Sequence, residues 1–98
     1  MNIVKTQNMP SLTIALEGRL DTTTAPQLEA ELKAALDGAD SLILDFEKLD
    51  YLSSAGLRVL LSAQKQMAKQ GSMKVIHVSE SIMEIFEVTG FSDILTIE

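Results

Sequence analysis

Residues 50–61 read Asp50-Tyr51-Leu52-Ser53-Ser54-Ala55-Gly56-Leu57-Arg58-Val59-Leu60-Leu61, and every other assignment in the chain leans on them. Immediately upstream, Leu42-Ile43-Leu44-Asp45-Phe46 is a short apolar run rich in branched residues, the pattern of a strand buried on both faces. Downstream, Leu57, Leu60, Leu61 and Met67 recur at helical spacing, with Arg58, Lys65 and Gln66 between them. Two hydroxyls and a glycine therefore join a strand to a helix. A helix start offers free backbone N–H groups and the positive end of the dipole, which favour an oxygen and tolerate negative charge. One N-cap uses one hydroxyl, so the second of Ser53 and Ser54 is surplus. The small Ser-Ser-Ala-Gly surface also leaves the loop open to close approach by another protein. On the residues alone this is a contact or modification site.

Longer motifs in the chain carry a family resemblance. The Ser53–Leu61 run, entered from Leu49-Asp50-Tyr51-Leu52, resembles the signature of the STAS domain, and more narrowly of single-domain bacterial anti-sigma factor antagonists. Gly18-Arg19-Leu20-Asp21 followed by Thr24-Ala25 is similar to that family's marker before the first helix, and Ser79 with Glu87-Val88-Thr89-Gly90-Phe91 is similar to its third helix and closing turn. The resemblance covers essentially the whole chain. It implies a single STAS domain over residues 1–98, with an α/β fold: a mixed, mostly parallel sheet of four to five strands, helices packed on it, and an opening β-hairpin.

The resemblance also implies a function. The unphosphorylated protein captures a kinase-type anti-sigma factor, freeing a sigma factor for transcription, and phosphorylation of a serine breaks the capture. The position that takes the phosphate in the family corresponds to Ser54, with Ser53 the alternative. Where the best-known subgroup has an aspartate this chain has Ser53, and where many members have a second hydroxyl it has Ala55. The partner surface implied is Asp21, Thr22 and Thr23 together with Ser53, Ser54, Ala55, Gly56, Leu57 and Arg58. The partners implied are an anti-sigma factor with serine-kinase activity and a serine phosphatase. ATP and Mg²⁺ belong to the kinase, so no cofactor is expected in this chain.

Composition agrees with such a role. Ninety-eight residues make one domain with one core, and 46% hydrophobic with 22% charged residues is the balance of an ordinary soluble globule. No charged-then-apolar leader and no long apolar run is present, so neither a signal peptide nor a membrane span is expected. The absence of cysteine rules out disulfides and thiolate metal sites and fits a reducing cytoplasm. A formal charge of −6 argues against nucleic acid, whose phosphates require a basic surface, and points to a protein partner.

In chain order, Ile3–Thr6 reads as a first strand and Gln7–Ser11 as a turn. Leu12, Ile14 and Leu16 alternate with polar or small residues as a half-buried strand ending at Gly18, antiparallel to the first. Asp21-Thr22-Thr23 is a polar loop. Thr24 fits an N-cap with Gln27 in the reciprocal position, and Pro26 is tolerated in the first turn. Leu28, Leu32, Ala35 and Leu36 form the buried stripe, and Gly38 follows as the stop. After the central loop, a helix runs to about Gln70-Gly71. Met73–Val78 reads as a strand and Ser79 as the cap of a third helix, with Ile82, Ile85 and Phe86 inward and Gly90 at the end. Residues 93–98 complete a final strand through Ile94, Leu95 and Ile97. Alternating strands and helices imply parallel pairing after the opening hairpin.

Two residues admit competing roles. Asp21 is either a carboxylate facing the serine loop or a turn residue bonding its own backbone. His77, the only histidine, reads as a strand residue satisfied by a neighbour. With no cysteine and no His/Asp/Glu cluster at ligand spacing, no transition-metal site is expected, and no Gly-Lys-Ser phosphate loop is present. Nothing assembles a nucleophile, base and oxyanion hole, so an enzyme ranks third. Second stands a small STAS subunit docking unphosphorylated on a transporter or other cytoplasmic assembly. A stable monomer that folds without ligand is expected.

Overall fold

Leu12, Ile14, Leu16 and Leu20 are fully buried along β2 (Ser11–Leu20), while Thr13, Ala15 and Glu17 between them stay partly exposed. The same alternation holds in β3 (Ser41–Leu52), where Leu42, Leu44 and Phe46 are buried, and in β4 (Ser72–Ile76), where Met73 and Val75 are. One face of the sheet therefore carries the core and the other lies open. The computed structural model describes residues 1–98. Its sheet has the order β1-β2-β3-β4, with β1 (Asn2–Asn8) antiparallel to β2 and the pairs β2/β3 and β3/β4 parallel. Each parallel connection is a helix: α1 (Ala25–Ala35) between β2 and β3, α2 (Ser54–Gln70) between β3 and β4. A third helix, α3 (Glu80–Thr89), follows β4.

The helices bury their apolar stripes against the strand positions named above in one 25-residue core. Leu28, Leu32 and Ala35 face in from α1, Leu57, Leu60, Ala63 and Met67 from α2, and Ile82 and Phe86 from α3. Phe46 and Phe86 meet with ring centroids 6.4 Å apart, tilted by 34°. Such an aromatic pair contributes about 0.5–1.5 kcal/mol beyond the area it buries.

Several local expectations are corrected. The run Leu42–Phe46 is covered on one face only: Ile43 and Asp45 point to the open side and stay partly exposed. An apolar residue at Ile43 was enough to blur the period of two. Strand β2 does not stop at Gly18 but passes through it, at φ +104°, to Leu20. A glycine takes that conformation without a Cβ clash, and the β2/β3 register shifts between Gly18 and Arg19. The last segment is not a strand over residues 93–98. Phe91–Asp93 forms a 3-10 turn, and only Ile97 reaches the sheet, in an isolated parallel bridge to Val75. Strand β4 ends at Ile76, so His77 lies beyond it, exposed and at φ +56°.

Candidate functional site

The parallel pairing brings two strand-to-helix junctions side by side. Leu20 and Leu52, the last residues of β2 and β3, are register partners, and the Ser53 N–H donates to the Leu20 carbonyl at 2.9 Å. The loop 21–24 and the start of α2 consequently share one end of the molecule. Thr22, Ala25, Ala55 and Arg58 line a single shallow groove between them.

Ser53 is the N-cap of α2. Its backbone is extended (φ −97°, ψ 173°) and its hydroxyl accepts from the Gly56 N–H at 3.3 Å. Ser54 is the first helical residue, exposed, and its hydroxyl has no protein partner. The two hydroxyls are thus divided between one structural role and one free group. Ala55 is half-buried, Gly56 and Leu57 are buried beneath the helix start, and Arg58 is exposed one turn on.

Gly56 sets how close α2 sits. A Cβ there would lie 2.7 Å from Leu20 Cγ and 2.8 Å from Leu52 Cδ1, both in buried side chains. The missing side chain lets the helix start rest directly on the two strand ends. Gly56→Ala gains about 1 kcal/mol of helix propensity but overpacks the core at about 1–3 kcal/mol. A net loss of about 1 kcal/mol is expected in urea unfolding, and a neutral or stabilised variant would show that Leu20 and Leu52 give way freely.

On the neighbouring loop, Asp21 turns inward on its own backbone. Its carboxylate accepts from the Thr23 N–H (3.0 Å), the Thr23 hydroxyl (2.8 Å) and the Thr24 N–H (3.1 Å). The Thr23 hydroxyl, then the Thr24 N–H, hold its pKa down at about 2, below the usual 3.8, against the opposing effect of partial burial. The expected capping box is therefore replaced. Thr24 sits at the N-cap position with a helical backbone and caps nothing; its hydroxyl accepts from the Asp21 N–H at 2.8 Å and donates to the Arg19 carbonyl at 2.7 Å. Asp21 takes the Thr23 and Thr24 N–H groups just before the helix in an Asx turn, and the Gln27 N–H that a Thr24 cap would have served donates to the Thr24 carbonyl at 3.0 Å. Arg19 is engaged as well, its guanidinium 4.1 Å from the Tyr51 ring centroid and its Nε 3.7 Å from Asp21.

Away from this end, the open sheet face holds a cluster that the linear reading missed. His77 Nδ1 lies 2.9 Å from Asp45 Oδ1 and 3.7 Å from Glu47 Oε2. Asp45 and Glu47 share a face because they are two residues apart on β3, and pairing of Asp45 with Ile76 places His77 next to them. The hydrogen bond to Asp45 raises the His77 pKa above 6.5, outweighing partial burial. Burial raises the Asp45 pKa, but bonds from the Glu47 N–H and from His77 outweigh it, and the net shift is downward. A raised histidine pKa contributes stability below pH 6.5 that is lost as pH climbs through the folded-state value. His77→Gln should therefore match the parent protein at pH 9 and fall slightly below it at pH 5.5, as read by urea melts. Equal destabilisation at both pH values would separate the histidine's role from its charge.

No helix is long and apolar enough to cross a membrane. Residues 4–96 match the model of a protein family described as "Mlab, STAS domain". A Bordetella bronchiseptica protein named as an anti-sigma factor antagonist, BtrV, is 41% identical over 88 residues, covering 88% of this chain and 76% of that one. The anti-sigma-B factor antagonist of Bacillus subtilis is 30% identical over 98 residues, covering 99% and 90%. Among solved structures, the anti-sigma factor antagonist SpoIIAA in its unphosphorylated form superposes with a TM-score of 0.85 at 20% identity, over 99% of this chain and 88% of that one. SpoIIAA of Bacillus in its phosphorylated form does so with a TM-score of 0.77 at the same identity, over 99% and 91%. With the sheet order, the helix start at Ser53-Ser54 and these relatives in agreement, the chain belongs to the STAS-domain family of anti-sigma factor antagonists.

Proposed function

We propose that this chain works by partner switching: with Ser54 unmodified it captures an anti-sigma factor that has serine-kinase activity, and phosphorylation of Ser54 releases that factor. The observation that carries the reading is the division of the two serines. Ser53 is occupied as the helix cap, whereas Ser54 presents an exposed hydroxyl at the first helical position. A phosphate there adds roughly −1.5 to −2 charges beside the positive end of the helix dipole, where the fold tolerates it.

The capture surface is the end of the molecule formed by residues 21–23 and 53–58. Thr22, Thr23, Ser54 and Arg58 are exposed to a partner, while Asp21, Gly56 and Leu57 hold the surface in shape. The chain is a monomer and a binding module rather than an enzyme, acting in the cytoplasm, with ATP and Mg²⁺ supplied by the kinase and a serine phosphatase resetting the switch. The relatives' names support the partner, and the phosphorylated SpoIIAA structure supports the modification as a state this fold accommodates.

The test is intact mass and peptide mapping of the protein isolated from its own cells, with and without phosphatase. A single phosphatase-sensitive addition on the Ser53–Arg58 peptide, absent in Ser54→Ala and retained in Ser53→Ala, is expected. Labelling that survives Ser54→Ala and vanishes in Ser53→Ala would move the switch to the cap. A protein that never carries phosphate would favour docking without phosphorylation.

A further inference from the structure

The chain carries eight Lys and Arg residues against fourteen Asp and Glu. Five of the cations are paired: Lys5, Arg19, Lys33, Lys48 and Lys74 each lie within 4.0 Å of a carboxylate. The three that make no ion pair, Arg58, Lys65 and Lys69, all lie on α2, and the seventeen residues of that helix include no acid. At about 100° per residue, Ser54, Arg58, Lys65 and Lys69 fall within about 60° of arc, so they form one line about 22 Å long. All four are exposed. A chain of net charge −6 thus presents a ridge of three positive charges, none of them in an ion pair, that begins at the free serine.

We infer that this ridge is a docking surface for the acidic face of the protein partner, and that the Ser54 phosphate acts partly by cancelling it. The inference rests on the partner-switching reading and names the chemistry its partner must present. Steering works over a Debye length of about 8–10 Å at physiological salt, so a 22 Å ridge is read by several carboxylates rather than one. Arg58 is four residues after Ser54, the spacing at which side chains on a helix meet. A phosphate of roughly −1.5 to −2 charges at the head of the ridge therefore engages Arg58 within the chain and reduces the ridge from +3 to about +1. Phosphorylation removes attraction as well as adding a group that is costly to bury.

The experiment is calorimetric titration of the purified anti-sigma factor into the parent protein, into Lys65→Glu/Lys69→Glu and into Ser54→Asp, each at 50 and 200 mM salt. The double reversal should weaken binding by about 10- to 30-fold at low salt and flatten the salt dependence. Lys65→Gln/Lys69→Gln should fall between it and the parent. Because both lysines are exposed, the Tm of each variant should stay within a few degrees of the parent, which separates a docking effect from unfolding. Unchanged affinity and salt dependence in the double reversal, with binding still lost in Ser54→Asp, would overturn the ridge and leave the switch standing. Loss in the double reversal with none in Ser54→Asp would uphold the ridge and overturn the switch.

Discussion

Phosphorylated on Ser54, the protein should bind its anti-sigma partner at least about 100-fold more weakly while melting within a few degrees of the unmodified form. The two halves of this expectation have one physical origin. In the free protein the phosphate stands in water at the first position of α2, where helix N–H groups and Arg58 one turn on are favourably disposed to it. Inside a docked interface the same dianion loses its water, and the partner surface that suited a neutral hydroxyl offers no counter-charge. Arg58 offsets part of the dianion, but burying charge that the partner does not pair still costs several kcal/mol, and about 1.4 kcal/mol corresponds to tenfold in affinity, so about two orders of magnitude is the smaller end of the range. Ser54→Asp should reproduce much of the loss with a smaller charge, and Ser54→Ala should bind normally and refuse phosphate. Ser53→Ala should remain switchable but melt lower, since removing an N-cap hydroxyl costs about 0.5–2 kcal/mol. Isothermal titration of the four proteins, alongside thermal melts, checks the whole set. A phosphorylated protein that binds as tightly as the parent would remove Ser54 from the mechanism.

The fold was legible where spacing alone determines structure. The alternation of Leu12, Ile14 and Leu16, the stripe Leu28, Leu32, Ala35 and Leu36, and the strand–serine–helix passage through Ser53 all read directly, because each pattern is local and has one period. The surplus hydroxyl was legible for the same reason, since a helix start accommodates one cap. What could not be read depended on contacts between distant segments. Asp21 has several ways to satisfy a turn, and only the backbone of residues 21–24 shows that its carboxylate closes on the Thr23 and Thr24 N–H groups just before α1. The His77 cluster exists because β3 and β4 are parallel and in a particular register, a pairing that joins residues 45 and 77. The last strand failed because Gly90, at φ +83°, and the turn after it use up residues that an extended segment would need, leaving one bridge. The unpaired line on α2 follows from sequence spacing, but its being unpaired depends on which carboxylates the fold brings near. Ion pairing is decided by distance in space, and the sequence holds fourteen acids any of which could have come close.

Gly71→Ala should be among the most damaging single-methyl changes in the chain, although φ at Gly71 is 174°, an extended value that any residue adopts. The constraint is space. A Cβ at Gly71 would fall on the Asp40 backbone, whose carbonyl carbon would be 2.5 Å away with the oxygen closer still. That backbone cannot retreat cheaply, because it is fixed from three sides. The Asp40 carbonyl accepts from the Ser72 N–H at 3.0 Å, the Asp40 N–H donates to the Pro10 carbonyl at 2.9 Å, and Gln70 Nε2 bridges the carbonyls of Leu36 (2.7 Å) and Ala39 (2.6 Å). The junction locks the first residues of β3 and β4, Ser41 and Ser72, into register. Overpacking typically costs about 1–3 kcal/mol and more where nothing yields, so a loss of about 3 kcal/mol is expected, or roughly 12–24 °C in Tm for a domain of this size. Urea unfolding with an unchanged m-value would show that the native state, not the denatured one, bears the cost. The junction lies at the strand starts, opposite the Ser54 end, so the folded fraction of Gly71→Ala should keep the Ser54 switch below its melting transition, with any change in affinity entering only through Lys69 at the far end of the ridge. This reverses the behaviour of Ser54→Asp, which keeps its stability and loses its partner. If Gly71→Ala instead loses less than about 1 kcal/mol, the strand starts are looser than their hydrogen bonds imply.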